Sequence, residues 1–158
     1  MKKLNKNKGF TLAELLIVVA VIAVLAAISI PVFTGRLETS REGTDIANLR
    51  SAYAVAQTDL LTSDYSNYNT TSSPYVGYYD TASGTVKSTA GGDTGAKAIG
   101  KATVTGVQTN GGTIDLPSGV TYNGVAVGQY IKITITPTST GTSGDVSGSV
   151  TVAFASDS

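Results

Sequence analysis

Few residues in this chain of 158 offer chemistry, and the most conspicuous of them stands in an unexpected place. In the stretch KNKGFTLAELL, residues 6–16, Glu14 plants a carboxylate near the start of a long apolar run. A charged side chain deep in a bilayer costs about 2.5–3.5 kcal/mol even on lenient insertion scales. Such a carboxylate either lies close to the end of the apolar segment or has a partner. Other chemistry is excluded more readily. Cys, His and Trp are absent, which removes a disulfide, a thiolate or imidazole metal site, and any nucleophile activated by imidazole. The stretch GAKAIGKA, residues 95–102, sets Gly95, Gly100 and Lys101 at phosphate-loop spacing. It puts Ala102 where a magnesium-binding hydroxyl is required, and no apolar strand leads into it. Asp80, Asp93, Asp115, Asp145 and Asp157 are scattered without calcium-loop spacing. No catalytic residue, cofactor or metal is expected, and the chain reads as a non-enzyme. Asn69-Thr70-Thr71 fits a glycosylation sequon and marks an exposed loop.

The element that must carry Glu14 runs from Phe10 to Phe33, FTLAELLIVVAVIAVLAAISIPVF. As a helix it is long enough to cross a hydrocarbon core of about 30 Å. Lys2, Lys3, Lys6 and Lys8 precede Gly9 and should hold that end in the cytoplasm. Two plain readings compete here: a secretory signal peptide cut near Ala26 or Ala27, and a simple single-pass anchor. Against the first, the apolar run continues through Ile28, Ile30, Val32 and Phe33, and it contains an acid. Formal charges balance at 11 against 11, but removing the four leading lysines leaves seven cations against those acids. The remainder is acidic, which argues against broad nucleic-acid binding. Pro31 closes the apolar run and predicts a kink or local unwinding, with Ser29 placed to satisfy freed backbone groups; the alternative is a proline that simply marks the membrane exit.

The stretch KGFTLAELLIVVAVIAVLAAISIP closely resembles the N-terminus of type IV prepilins. It shares the short basic leader ending in Gly9, then Phe10, Thr11, Leu12 and Glu14, then a hydrophobic helix reaching Pro31. The match covers about 25 residues; the rest of the chain has no comparable signature. The resemblance implies cleavage between Gly9 and Phe10 by a membrane-embedded prepilin peptidase and N-methylation of Phe10. It further implies that the helix survives processing, because the cut precedes it. Glu14 would pair with the new α-amine of Phe10 on a neighbouring subunit, each charge neutralising the other inside an apolar filament core. The alternative is a pair within one chain, since Glu14 lies four residues after Phe10.

After Gly35 the composition changes to RLETSREGTDIANLRSAYAVAQTDLL. Ile46, Leu49, Tyr53, Ala56 and Leu60 recur at three and four residues and predict one apolar helix face. Arg36, Glu38, Arg41, Glu42 and Asp45 precede that face and read as solvated charges. One helix from Phe10 to about Leu61 is expected. Residues 63–80 hold five of the eight tyrosines among Ser, Asn, Thr and Gly and read as a connecting loop suited to subunit contacts or to packing over the head. GQYIKITITPT and SVTVAFA alternate apolar and polar residues and predict two half-buried strands paired antiparallel. Further strands are expected at residues 102–109 and 119–122, with a tight turn at Asn123-Gly124.

The fold class expected is therefore α+β: a long N-terminal helix whose C-terminal half packs on a small antiparallel sheet. The domain reading is a leader at 1–9, a transmembrane and filament-core helix at 10–33, an amphipathic half at 34–62, and a Tyr-rich loop with a β-sheet head at 63–158. By resemblance, the function is a structural type IV pilus subunit that polymerises with copies of itself. It would begin as a single-pass precursor in the cytoplasmic membrane and end in an extracellular pilus. Its partners would be prepilin peptidase, an assembly platform protein with its ATPase, and membrane lipid before assembly, with no specific nucleic acid. The polar head rich in Ser and Thr favours a major pilin. The alternatives are a pseudopilin of a type II secretion or DNA-uptake system, or a monomeric membrane-anchored surface binding protein. Many pilins of diderm bacteria close their C-terminal part with a disulfide, so the lack of cysteine leans toward a Gram-positive source.

Overall fold

The computed structural model describes residues 9–103, 116–138 and 147–156. The chain divides into two compact units, Met1–Leu37 and Glu38–Ser158. One helix, α1, spans Leu12–Thr62. Five strands follow: β1 (Tyr75–Asp80), β2 (Thr85–Lys87), β3 (Val120–Thr121), β4 (Tyr130–Thr138) and β5 (Ser147–Ala155).

In the first unit every described side chain from Gly9 to Leu37 is exposed. Its leucines, isoleucines and valines at positions 12 to 32 each leave half or more of their surface uncovered. Helix propensity alone does not account for so bare an apolar rod in water. The rod is also the one described helix long and apolar enough to cross a membrane.

The second unit has a closed core. Leu49, Ala52, Ala56 and Leu60 of α1 are buried together with Ile131, Ile133 and Ile135 of β4, Val150 and Val152 of β5, Tyr79 of β1 and Val86 of β2. The predicted stripe is therefore the packed one, with Tyr53 half-buried at its margin. The β-branched row of β4 supplies much of the apolar area of this core. Burying each such isoleucine contributes about 1.5–3 kcal/mol. At its C-terminus α1 ends where Ser63 enters the left-handed region (φ 55°) and the Asp64 amide donates to the Asp59 carbonyl at 3.0 Å.

The sheet order is β2-β1-β4-β5-β3. β4 and β5 pair antiparallel along nine residues each, as their alternation predicts. Three strand expectations need correction. Residues 75–80, read as part of a loop, form β1, which pairs antiparallel with both β2 and β4. The short strand within 119–122 exists as β3 but runs parallel to β5, so the sheet is mixed rather than purely antiparallel. At Asn123-Gly124, where a tight turn is expected, Asn123 Oδ1 accepts the Val125 amide at 3.2 Å and Gly124 takes φ +84°. Of the strand expected at 102–109, residues 102 and 103 are not in a strand; the remainder lies outside the described residues, as do the leader residues 1–8 and Asp115, Asp145 and Asp157.

Candidate functional site

Two groups of polar side chains are built into α1, one in each unit. The first opens the helix. Thr11 precedes Leu12 as the N-cap, and its Oγ1 accepts the Glu14 amide at 3.2 Å. Glu14 Oε2 reaches back to accept both the Thr11 amide and the Thr11 hydroxyl, each at 2.8 Å. This is a reciprocal capping box of the T-x-x-E kind, which satisfies amides that a helix start leaves without partners. It supplies a local reason for a carboxylate at the head of an apolar rod, and the Thr-x-x-Glu spacing is its sequence signal. It also starts the helix at Leu12 rather than Phe10.

Gly9 and Phe10 lie just ahead of this cap, both exposed. A Cβ placed on Gly9 would meet nothing within 4 Å, so the fold itself makes no demand for glycine there. The geometry thus brings Phe10, Thr11 and Glu14 together at one helix end. Pro31 stands apart from them, several turns along α1, and the residues on either side of it are helical. Ser29 Oγ donates to the Leu25 carbonyl at 2.7 Å, and Thr34 Oγ1 donates to that of Pro31 at 2.9 Å. Neither hydroxyl reaches the Ala27 carbonyl, whose amide partner the proline removes.

The second group corrects the reading of the charged segment. Glu38, Glu42 and Asp45 are not solvated: they are 6%, 1% and 0% exposed. They fall at steps of four and three that continue the register of Leu49, Ala52, Ala56 and Leu60, so the buried face of α1 starts as an acidic row. Asp45 accepts the Lys101 amide through both oxygens at 3.0 Å and the Ala102 amide at 2.8 Å. Glu38 accepts the Thr103 amide, and at 3.1 Å its hydroxyl. Arg41 also pairs with Glu38, at 3.2 Å. Consecutive backbone amides of 101–103 therefore clasp the carboxylates of a helix about sixty residues earlier.

This resolves the phosphate-loop likeness of GAKAIGKA. Its backbone does bind an anion, but the anion is the side chain of Asp45. Burial pushes the Asp45 carboxyl above its ordinary range, while the Ala102 and Lys101 amides pull it back. The Tyr122 hydroxyl is pushed up by its own burial and then by the negative field of Asp45, Glu42 and Glu38. At the far end of the core, Tyr68 donates to Asp59 at 2.9 Å and helps to close the start of the tyrosine-rich segment. No cluster of acids arranged to hold a metal ion occurs among the described residues.

Residues 4–30 match the family described as the prokaryotic N-terminal methylation motif. The chain is 41% identical over 64 residues to the type IV major pilin protein PilA of Myxococcus xanthus (strain DK1622), covering 40% of this chain and 29% of that protein. It is 44% identical over 52 residues to a fimbrial protein of Pseudomonas aeruginosa, covering 31% of this chain and 34% of that one. With the type IV major alpha-pilin of Moraxella bovis it shares 35% identity over 77 residues, 47% of this chain and 48% of the relative. The matches thus span less than half the length of these curated relatives. No solved structure gives a significant match. Motif and relatives together support a type IV pilin, and the fold of one long N-terminal helix with a mostly antiparallel sheet is consistent with that class.

Proposed function

We propose that this chain is the structural subunit of a type IV pilus, cleaved between Gly9 and Phe10, N-methylated at Phe10 and polymerised through α1. The observation that carries this reading is the bare apolar rod, exposed from Gly9 to Leu37 and opened by a carboxylate. Lipid covers the rod before assembly, and copies of the same rod cover it afterwards. The freedom around Gly9 supports a requirement imposed from outside the fold: a peptidase that seats the backbone favours a residue without a side chain.

Glu14 has two tasks in this scheme. Oε2 caps its own helix, while Oε1 remains to receive the methylated amine of Phe10 on a neighbour. That amine, with an ordinary α-amino pKa of about 7.7–8.0, is largely cationic at neutral pH. Removing two opposite charges from water is tolerable when they meet and expensive when they do not, so the pair sets the stagger between subunits. An assembly platform and its ATPase would lift the subunit out of the membrane, and the pilus would stand on the cell surface with the head outward.

Mass spectrometry of the mature protein tests this directly. The expected N-terminus is methylated Phe10. A natural product still carrying residues 1–9 would overturn the reading, as would surface material that yields this chain as a detergent-soluble monomer and never in sheared filaments.

A further inference from the structure

The sheet has a second face, turned away from the core of α1 and β4. The register puts Lys87 of β2 directly across from Tyr78 of β1, and Tyr78 directly across from Lys132 of β4. Side chains at directly paired positions share a face, so the three stand in one row with the tyrosine between two lysines. Tyr130 joins them, its ring 6.3 Å from that of Tyr78 at an interplanar angle of 76°. This edge-to-face contact fixes the orientation of both rings. One pair further along β4, Thr134 and Thr151 face each other across the β4–β5 ladder. All six side chains are half-buried or exposed.

Charge is segregated on this face. From Glu38 onward the sequence carries ten acids and six cations, yet two of those cations flank one tyrosine here. Neither lysine makes an ion pair within 4 Å among the described residues. The nearby carboxylate of Asp80 feels Lys87, but it is buried and turned into its own loop, where it accepts the Ser83 hydroxyl at 2.7 Å.

We propose that this row is a binding face for an acidic polysaccharide, with uronate carboxylates on Lys87 and Lys132 and the C–H face of a sugar ring against Tyr78 or Tyr130. The Thr134 and Thr151 hydroxyls meet the sugar hydroxyls. Two cations suit one or two carboxylates on a neutral, hydroxyl-rich chain. A nucleic acid strand is the poorer fit, because its affinity grows with each phosphate neutralised and two contacts supply little. The inference does not depend on filament assembly.

The test uses the full chain in detergent micelles, titrated with a tetrasaccharide bearing uronic acid at alternate positions and followed by calorimetry and by NMR of the sheet amides. Saturable binding at or below about 1 mM is expected, with shifts confined to β1, β2, β4 and β5. Lys132→Gln should weaken it about tenfold, equivalent to about 1.4 kcal/mol, and Lys87→Gln with Lys132→Gln should abolish it. The carboxyl-reduced tetrasaccharide should not bind. The proposal fails if the sugar does not saturate, if its reduced form binds equally, if the double variant binds as wild type, or if an oligothymidylate of equal charge binds more tightly.

Discussion

Asp45 is buried with both carboxylate oxygens engaged by backbone amides, and that arrangement sets its response to acid. Burial raises its folded pKa above the ordinary aspartate value of about 3.9. The folded chain then binds this proton more tightly than the unfolded one. The stabilisation is fully present below the unfolded pKa and is lost as pH rises through the raised folded value. Asp80 runs the other way: the Ser83 hydroxyl foremost holds it low, so its contribution is lost as pH falls through that lowered value. In NMR titration of the full chain in micelles, the Asp45 carboxyl carbon should show a midpoint above about 3.9. Asp45→Asn turns an amide donor toward the Lys101 and Ala102 amides and should cost about 1–3 kcal/mol. It also removes the opposing slope, so as pH rises above the unfolded value of about 3.9 its unfolding free energy should climb more steeply than that of wild type. Equal slopes would contradict the account.

Among the elements, β1 depends on a single backbone position for its packing against Val86 and Tyr68. Gly77 lies in its middle, and a Cβ there would collide with the Val86 side chain and the ring of Tyr68. Gly77→Ala should destabilise the second unit by about 1–3 kcal/mol, seen as a lowered denaturant midpoint with little change in slope. An unchanged midpoint would mean that Tyr68 yields freely. The elements differ in how openly the sequence declares them. β4 was legible because its isoleucines alternate with Lys and Thr, β5 because Val150, Val152 and Phe154 recur at every second residue, and the stripe from Ile46 to Leu60 because apolar residues recur at helical spacing. β1 was hidden because tyrosines occupy both of its faces: Tyr75 and Tyr79 pack against or within the core while Tyr78 points away. β2, at three residues, is too short to show a period. The acidic row escaped because charges on a helix usually face water, and the amides that hold them are distant in sequence. Its signal was the register itself, since positions 38, 42 and 45 lead without a break into Leu49. The capping box is readable in the Thr11-x-x-Glu14 spacing alone.

At the scale of the whole molecule, the two units differ in what they need: the second covers its own core, whereas the first leaves its apolar side chains uncovered. If Glu14 serves assembly by its charge, a variant that keeps the cap but loses the charge separates the two tasks. Glu14→Gln retains a capping-box side chain, yet leaves the neighbour's amine buried without a counter-charge, a penalty of about 3–5 kcal/mol. Sheared filaments should be nearly absent in both Glu14→Gln and Glu14→Ala cells. Wild-type yield from Glu14→Gln alone would assign the residue to capping only. Strand order carries a different consequence. Because β5 lies between β4 and β3, residues 147–155 complete two ladders at once. A nascent polypeptide on the ribosome that has not yet delivered them holds β4 with one bare edge and β3 with no strand to join. Stalled products of translation would then expose sticky edges to proteases, and only the finished article would escape the cell's quality control.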